Sequence, residues 1–145
     1  MAVVNEILKY KGSLVFTIPH TSNVLEAAKR MVEHQIGSLV VLGEKGLIGI
    51  FTERDILRRV VAQQRDPATT RVTEVMSSEI VCCRLNTSLD EARGVMMNRR
   101  IRHLPVVDDQ NELLGLISIG DLNAHDDHAK EQTIYLLHQY IYQQR

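Results

Sequence analysis

The sequence has no tryptophan, and phenylalanine and tyrosine together make up only 4% of its 145 residues. Binding of single-stranded nucleic acid relies on exposed rings that stack on bases, so the scarcity argues against that class. Charge of one sign is also missing. The formal net charge is −1, which gives no electrostatic basis for a nucleic-acid or membrane partner. No apolar run approaches the roughly 20 residues needed to cross a bilayer. Met1-Ala2-Val3-Val4-Asn5-Glu6 does not read as a signal peptide. Cysteine is limited to Cys82 and Cys83. Adjacent residues on a strand point to opposite faces, so a bond between them is not expected. The chain lacks a C-x-x-C redox spacing. Together these absences predict a reduced, cytoplasmic protein.

What is present is ordinary for a soluble globular chain: 44% hydrophobic and 24% charged residues. The length allows one compact domain or two tightly packed halves. The informative stretch is Leu113–Leu122, LLGLISIGDL. Leu113–Ile117 has the length of a buried strand, and Ser118-Ile119-Gly120-Asp121 punctuates a strand turning into a helix. A hydroxyl, a carboxylate and the N–H groups of a helix start suit a ligand with a phosphate and a sugar diol. The same turn also serves as an ordinary helix cap, with Asp121 as the capping residue.

The pattern occurs twice. Gly49, Thr52 and Asp55 recur at one constant spacing as Gly115, Ser118 and Asp121. Upstream, Glu26-Ala27, Met31, Ile36, Leu39 and Val41 recur as Glu91-Ala92, Met96, Ile101, Leu104 and Val106, one residue closer. The extra residue falls in the turn at Asp108–Glu112, where length changes are tolerated. In order, the first copy predicts a helix over Val3–Lys11 stopped by Gly12, then a strand at Leu14–Ile18. A helix over Val24–Gln35 follows, capped by Ser22 or Asn23 and broken by Gly37. Strands Ser38–Leu42 and Leu47–Phe51 come next, then a helix over Asp55–Gln64. Val24, Ala27, Ala28, Met31 and Val32 are expected inside on one helix, and Ile56, Leu57, Val60 and Val61 on the other. The second copy predicts a turn of helix at Val72–Met76, a strand Ile80–Arg84 and a helix Leu89–Arg100 with a cap at Asn86–Ser88. Strands Leu104–Val107 and Leu113–Ile117 and a last helix from Asp121 complete it. The implied organisation is 1–65, a linker at 66–71, 72–124, and a helical tail at 125–145.

Two β-α-β-β-α units, each ending in Gly-aliphatic-aliphatic-Ser/Thr-x-x-Asp, resemble a pair of CBS domains, the tandem also called a Bateman module. Val72-Thr73-Glu74-Val75-Met76 and His103-Leu104-Pro105-Val106-Val107 add to the likeness, which spans Val3 to Leu122. The resemblance implies an α/β (α+β) fold of two units packed as a pseudo-two-fold pair, with helices added at both ends. It implies a binding module for an adenosine-containing nucleotide: AMP foremost, with NAD(H), ADP, ATP and S-adenosylmethionine as the other choices. Carried over residue by residue, Asp121 and Asp55 bind ribose hydroxyls, and Ser118 and Thr52 meet phosphate. Arg102 and His103, and Gly37 and Ser38, line the sites ahead of the middle strands. Ile80 and Val81, or Val15 and Phe16, flank the base. A carboxylate accepting two hydrogen bonds from a diol and an arginine pairing with phosphate are consistent with these roles.

The two sites differ in charge. The second has Gly120 inside its motif and the cations Arg102 and His103 beside it, and reads as the more complete. The first has Glu53-Arg54 inside its motif, with Arg54 a phosphate partner across the cleft or a solvated side chain. Beyond the second unit, Ile134, Leu137 and Ile141 form a stripe flanked by Tyr135, Tyr140 and Tyr142, which packs back on the module or serves a dimer contact. His125 and His128 place metal-ligand types on one helix face, without further ligands at zinc spacing. Ser118 with His103 imitates a catalytic dyad but lacks a third orienting group, and there is no P-loop. The expectation is therefore a homodimeric sensor that is not an enzyme, acting on a regulated partner protein. The alternative is an interaction module with empty clefts, working through its dimer or tail surface.

Overall fold

The computed structural model describes residues 1–128. The expected tail stripe at Ile134, Leu137 and Ile141 lies outside the described residues. Helix α1 is Val4–Lys11, followed by strand β1 (Thr17–Pro19), helix α2 (Val24–His34), β2 (Ser38–Gly43) and β3 (Gly46–Thr52). Helix α3 (Glu53–Asp55) runs on into a π-helical stretch, Ile56–Val61. Then come α4 (Val72–Val75), α5 (Leu89–Arg99), β4 (His103–Val107), β5 (Leu113–Ser118) and α6 (Ile119–His128). The mixed helix and strand content is that of an α+β fold.

The turn chemistry works as the sequence suggests. Asn23 accepts a hydrogen bond from the Glu26 N–H at 2.8 Å and Ser88 accepts one from Glu91 at 3.1 Å, so each caps its helix. Gly12, at φ 91°, ends α1 with its N–H on the Leu8 carbonyl. Gly37 does not end α2. Gln35 does, at φ 55°, and Arg100 does the same for α5 at φ 56°.

In the first sheet β1 runs parallel to β2, and β2 antiparallel to β3. The second sheet has only β4 and β5, antiparallel. The expected strand Ile80–Arg84 is reduced to a single bridge between Cys83 and Val106. Pro105 supplies the reason. It stands where Val40 stands in the first unit, and the Val40 N–H donates to the Phe16 carbonyl at 3.2 Å. Proline has no N–H to give the equivalent Val81 carbonyl, so the ladder is cut short.

Each unit's core is completed by the other unit's opening helix. Val24, Ala27, Met31, Leu39, Val41, Phe51 and Val60 are buried together with Val72 and Val75 of α4. Leu89, Ala92, Met96, Leu104, Val106, Ile117 and Leu122 are buried together with Val4, Ile7 and Leu8 of α1. A third cluster, Val40, Leu47 and Val107 with Val15, Leu42, Ile80, Cys82, Leu113 and Leu116 against it, joins the two sheets. Burying a side chain of this size contributes about 1.5–3 kcal/mol. Exchange of the opening helices therefore ties the units together through both cores.

Three side chains expected inside are outside. Val32 is 78% exposed, and Leu57 and Val61 are each 63% exposed. In the first unit a helix meets the sheet along a stripe about one residue wide per turn, filled by Val24, Ala27 and Met31 on α2. Past Asp55 the π-helical turns bring Val60 inward and rotate Leu57 and Val61 out. The wider turn shows in bonds from Ala62 N–H to Leu57 and from Arg65 N–H to Val60, each five residues back.

Candidate functional site

Both Ser/Thr-x-x-Asp segments fold as reciprocal caps. The Thr52 hydroxyl accepts from the Asp55 N–H at 3.3 Å, and Asp55 Oδ2 accepts from the Thr52 N–H at 2.9 Å. Ser118 Oγ accepts from the Asp121 N–H at 3.0 Å, and Asp121 Oδ2 accepts from the Ser118 N–H at 2.8 Å. The hydroxyl residue is thus the cap and the acid is the third residue of the helix, not the cap or the first helical residue expected. Helices α3 and α6 accordingly start before Asp55 and Asp121, at Glu53 and Ile119.

The surroundings of the two acids are unlike. Asp55 borders a cavity of about 490 Å³ between the units, lined from the first unit by Gly37, Thr52, Glu53 and Arg54 as well. From the second unit come Ile80, Val81, Arg100, Arg102 and His103. The expected partners of Asp121 (Ile80, Val81, Arg102 and His103) therefore gather around Asp55 instead. The exchange of opening helices causes this, because the Ile80–Val81 segment follows α4, which is packed into the first unit. The Asp55 carboxylate is almost wholly buried. Its Oδ2 is taken by Thr52, through the N–H and through the hydroxyl at 3.2 Å, and among the described residues its Oδ1 has only Arg59 Nε at 3.8 Å. That oxygen is available to a diol.

Asp121, Ser118, Ser38, Val15 and Phe16 are not among the residues lining this cavity. Asp121 Oδ2 is held by Lys11 Nζ at 2.7 Å. Ser38 is buried at the start of β2. Phe16 stacks on His34 with ring centroids 4.3 Å apart, and Val15 packs into the cluster between the sheets. His103 sits at the divide. It lines the cavity, while its backbone pairs with Ser118 across β4 and β5. Burial pushes its imidazole pKa below the ordinary value, and the Lys11 and Arg102 charges push the same way against Asp121. The ring is neutral at pH 7 and fit to accept or donate a hydrogen bond, not to carry charge.

Sequence reasoning missed Arg100 and Glu79, both at the cavity. The run Arg99-Arg100-Ile101-Arg102 was the available signal for Arg100, since the left-handed turn there sends the chain from α5 back toward the opening. Glu79 had no signal beyond its nearness to Ile80. Glu53 is also explained by local packing. Its N–H donates to the Gly37 carbonyl at 3.0 Å, and its carboxylate occupies the space a side chain at Gly37 would need. Near Cys82 and Cys83 there is no disulfide, and burial raises the Cys83 thiol to about 12. It is an inert core thiol. Among the described residues no cluster of three or more His, Cys, Asp or Glu side chains is placed to hold a metal.

Known proteins resemble this chain in sequence and in fold. The chain is 43% identical over 108 residues to a CBS domain-containing protein, YhcV, of Bacillus subtilis, covering 74% of this chain and 76% of that one. A protein with CBS domains from Burkholderia ambifaria, known by structure, superposes with a TM-score of 0.79 at 42% identity, over 83% of this chain and 90% of the other. The CBS domain pair of protein MJ0100, solved with 5′-methylthioadenosine and S-adenosyl-L-methionine, superposes with a TM-score of 0.77 at 25% identity, over 89% and 98%. The CBS domain profile itself matches residues 13–62 and 72–126. The chain therefore belongs to the CBS domain family, as a tandem pair of CBS domains.

Proposed function

We propose that this CBS pair is a regulatory sensor that binds one adenosine-containing nucleotide in the cavity between its units. The observation that carries the reading is the meeting of Asp55 and Thr52 with Ile80, Val81, Arg102 and His103 around one cavity. Asp55 accepts hydrogen bonds from the ribose hydroxyls, and Ile80 and Val81 flank the base. Thr52, Arg54, Arg100 and Arg102 serve the phosphates, since guanidinium groups pair well with them. The adenosine ligands of the MJ0100 pair support this ligand class. AMP fits foremost, followed by ADP, ATP, NAD(H) and S-adenosylmethionine. The proposed role is binding and not catalysis, and the CBS domain-containing relatives support it.

The pair works as a homodimer in the cytoplasm and passes its state to a regulated protein. The outward Val32, Leu57 and Val61 support the dimer, because three large apolar side chains on one helical layer suit a self-complementary two-fold contact. No helix among the described residues is long and apolar enough to cross a membrane. Native mass spectrometry of the purified chain, followed by calorimetric titration of AMP, tests the function. One equivalent of an adenosine compound per chain is expected. No adenosine compound carried through purification, and no binding of AMP, ADP, ATP, NAD(H) or S-adenosylmethionine when each is titrated in turn, leaves only the interaction-module reading.

A further inference from the structure

The two units put different donors on one equivalent backbone carbonyl. Met76 follows α4 and Lys11 ends α1, and each reaches the motif of the opposite unit. The Met76 thioether packs on Gly49, where it fills the space a side chain would take. Next to it, the Ile50 carbonyl accepts from the Ser77 N–H at 3.0 Å. Asp55 is left facing the cavity. Across the pseudo-two-fold, Leu8 packs on Gly115. The carbonyl equivalent to that of Ile50 belongs to Leu116, and it accepts from Lys11 Nζ at 2.9 Å. The same ammonium reaches Asp121 Oδ2 at 2.7 Å.

We infer that Lys11 is a built-in occupant of the second motif, and that it limits the pair to one nucleotide per chain. This rests on the nucleotide reading above. Two features support it. The ammonium sits on the Asp121 carboxylate through Oδ2, so a ribose diol approaching that acid meets a bound cation, and the Leu116 carbonyl holds the same ammonium in place. A charge-assisted hydrogen bond of this kind is stronger than one from a neutral sugar hydroxyl. A nucleotide entering here has to displace it without help from the motif, since Gly120 stands where the first motif has Arg54. Lys11 is thus a specificity-determining residue that acts by exclusion. Its helix is anchored in the second core by Val4, Ile7 and Leu8, which brings the ammonium within reach of the motif.

The test is equilibrium dialysis of AMP against wild-type chain, Lys11→Met, Lys11→Arg and the double variant Lys11→Met/Asp55→Ala. Methionine keeps an unbranched stem, removes the ammonium and leaves the α1 anchors untouched. Expected stoichiometries are one AMP per chain for wild type and Lys11→Arg, two for Lys11→Met, and one for the double variant. Two equivalents on wild type, or one on a folded Lys11→Met, overturns the inference while the proposed function stands. Weaker binding by Lys11→Met with unchanged stoichiometry makes Lys11 a ligand group and also overturns it. No AMP on any of the four chains overturns both. Thermal melts of each variant, run beside the dialysis, establish that the proteins compared are folded.

Discussion

Asp55 and Asp121 close the same capping box in two copies of one motif, yet Asp55 borders an open cavity while Asp121 is bound by Lys11 at 2.7 Å. The capping geometry is not what differs. The difference comes from the group that each exchanged segment delivers, the Ser77 N–H on the Ile50 carbonyl in one case and the Lys11 ammonium on the Leu116 carbonyl and Asp121 in the other. Local sequence makes the two acids alike, and long-range packing makes them different.

The first prediction concerns these acids. Asp55→Ala is expected to weaken AMP binding roughly ten- to a hundredfold, the equivalent of about 1.5–3 kcal/mol for hydrogen bonds to a charged acceptor. Asp121→Ala is expected to leave that affinity unchanged and to lower the melting temperature through loss of its cap and its ion pair. This ranking reverses the one that charge alone suggests, in which the second motif looked the more complete. Titration calorimetry of both variants beside thermal melts checks it. Equal affinities for Asp55→Ala and wild type would reduce Asp55 to a capping residue.

Much of this was legible in the sequence because it is local or repeated. The two copies, the caps at Asn23 and Ser88, the stop at Gly12 and the paired strands all follow from short-range chemistry. What was not legible depends on which unit covers which. The sequence places Ile80 and Val81 beside Asp121 in the same copy, but the linker carries them to Asp55. Leu57 and Val61 have helical spacing for burial, and the π-helical stretch that contains them, Ile56–Val61, turns them outward. Pro105 was visible as a residue, but its effect on the Ile80–Arg84 strand required knowing which N–H its first-unit counterpart donates.

The second prediction uses the glycines. At Gly115 an added methyl group would lie 2.8 Å from a Leu8 side chain that is itself buried in the second core. Gly115→Ala is expected to destabilise by about 1–3 kcal/mol, the usual cost of overpacking. Gly94, inside α5, has nothing within 4 Å of such a methyl group. Gly94→Ala is expected to stabilise by about 0.5–1 kcal/mol, because alanine loses less backbone entropy in a helix. Urea unfolding of the two variants should shift the midpoint in opposite directions with unchanged slope.

The third prediction concerns assembly. Val32 and Leu57 are exposed on helices whose other faces fill the first core. If they meet their copies across a two-fold axis, Val32→Glu and Leu57→Glu each place a carboxylate against apolar surface and against its own symmetry mate. Sedimentation velocity should show dimer for wild type and monomer for each variant at micromolar concentration, with far-ultraviolet circular dichroism unchanged. Dimer in all three would locate the contact elsewhere.

The last prediction follows from His103. Its pKa in the folded chain lies below the ordinary 6.5, first because of burial and then because of the positive charge of Lys11, with Arg102 adding to it and Asp121 opposing. The folded state then binds fewer protons than the unfolded state in the range between the folded value and 6.5. Stability therefore rises with pH through that range. It is fully present above 6.5 and is lost as pH falls from 6.5 toward the folded value. His103→Gln keeps a polar, uncharged side chain and removes the titration, so its stability should change less over the same range. Lys11→Met removes a charge that lowers the folded value, and the loss of stability should then be smaller than in wild type. Urea unfolding of the three chains from pH 7.5 down to 5 measures these differences. A wild-type stability that falls no faster than that of His103→Gln would show that the imidazole is not held neutral by its surroundings.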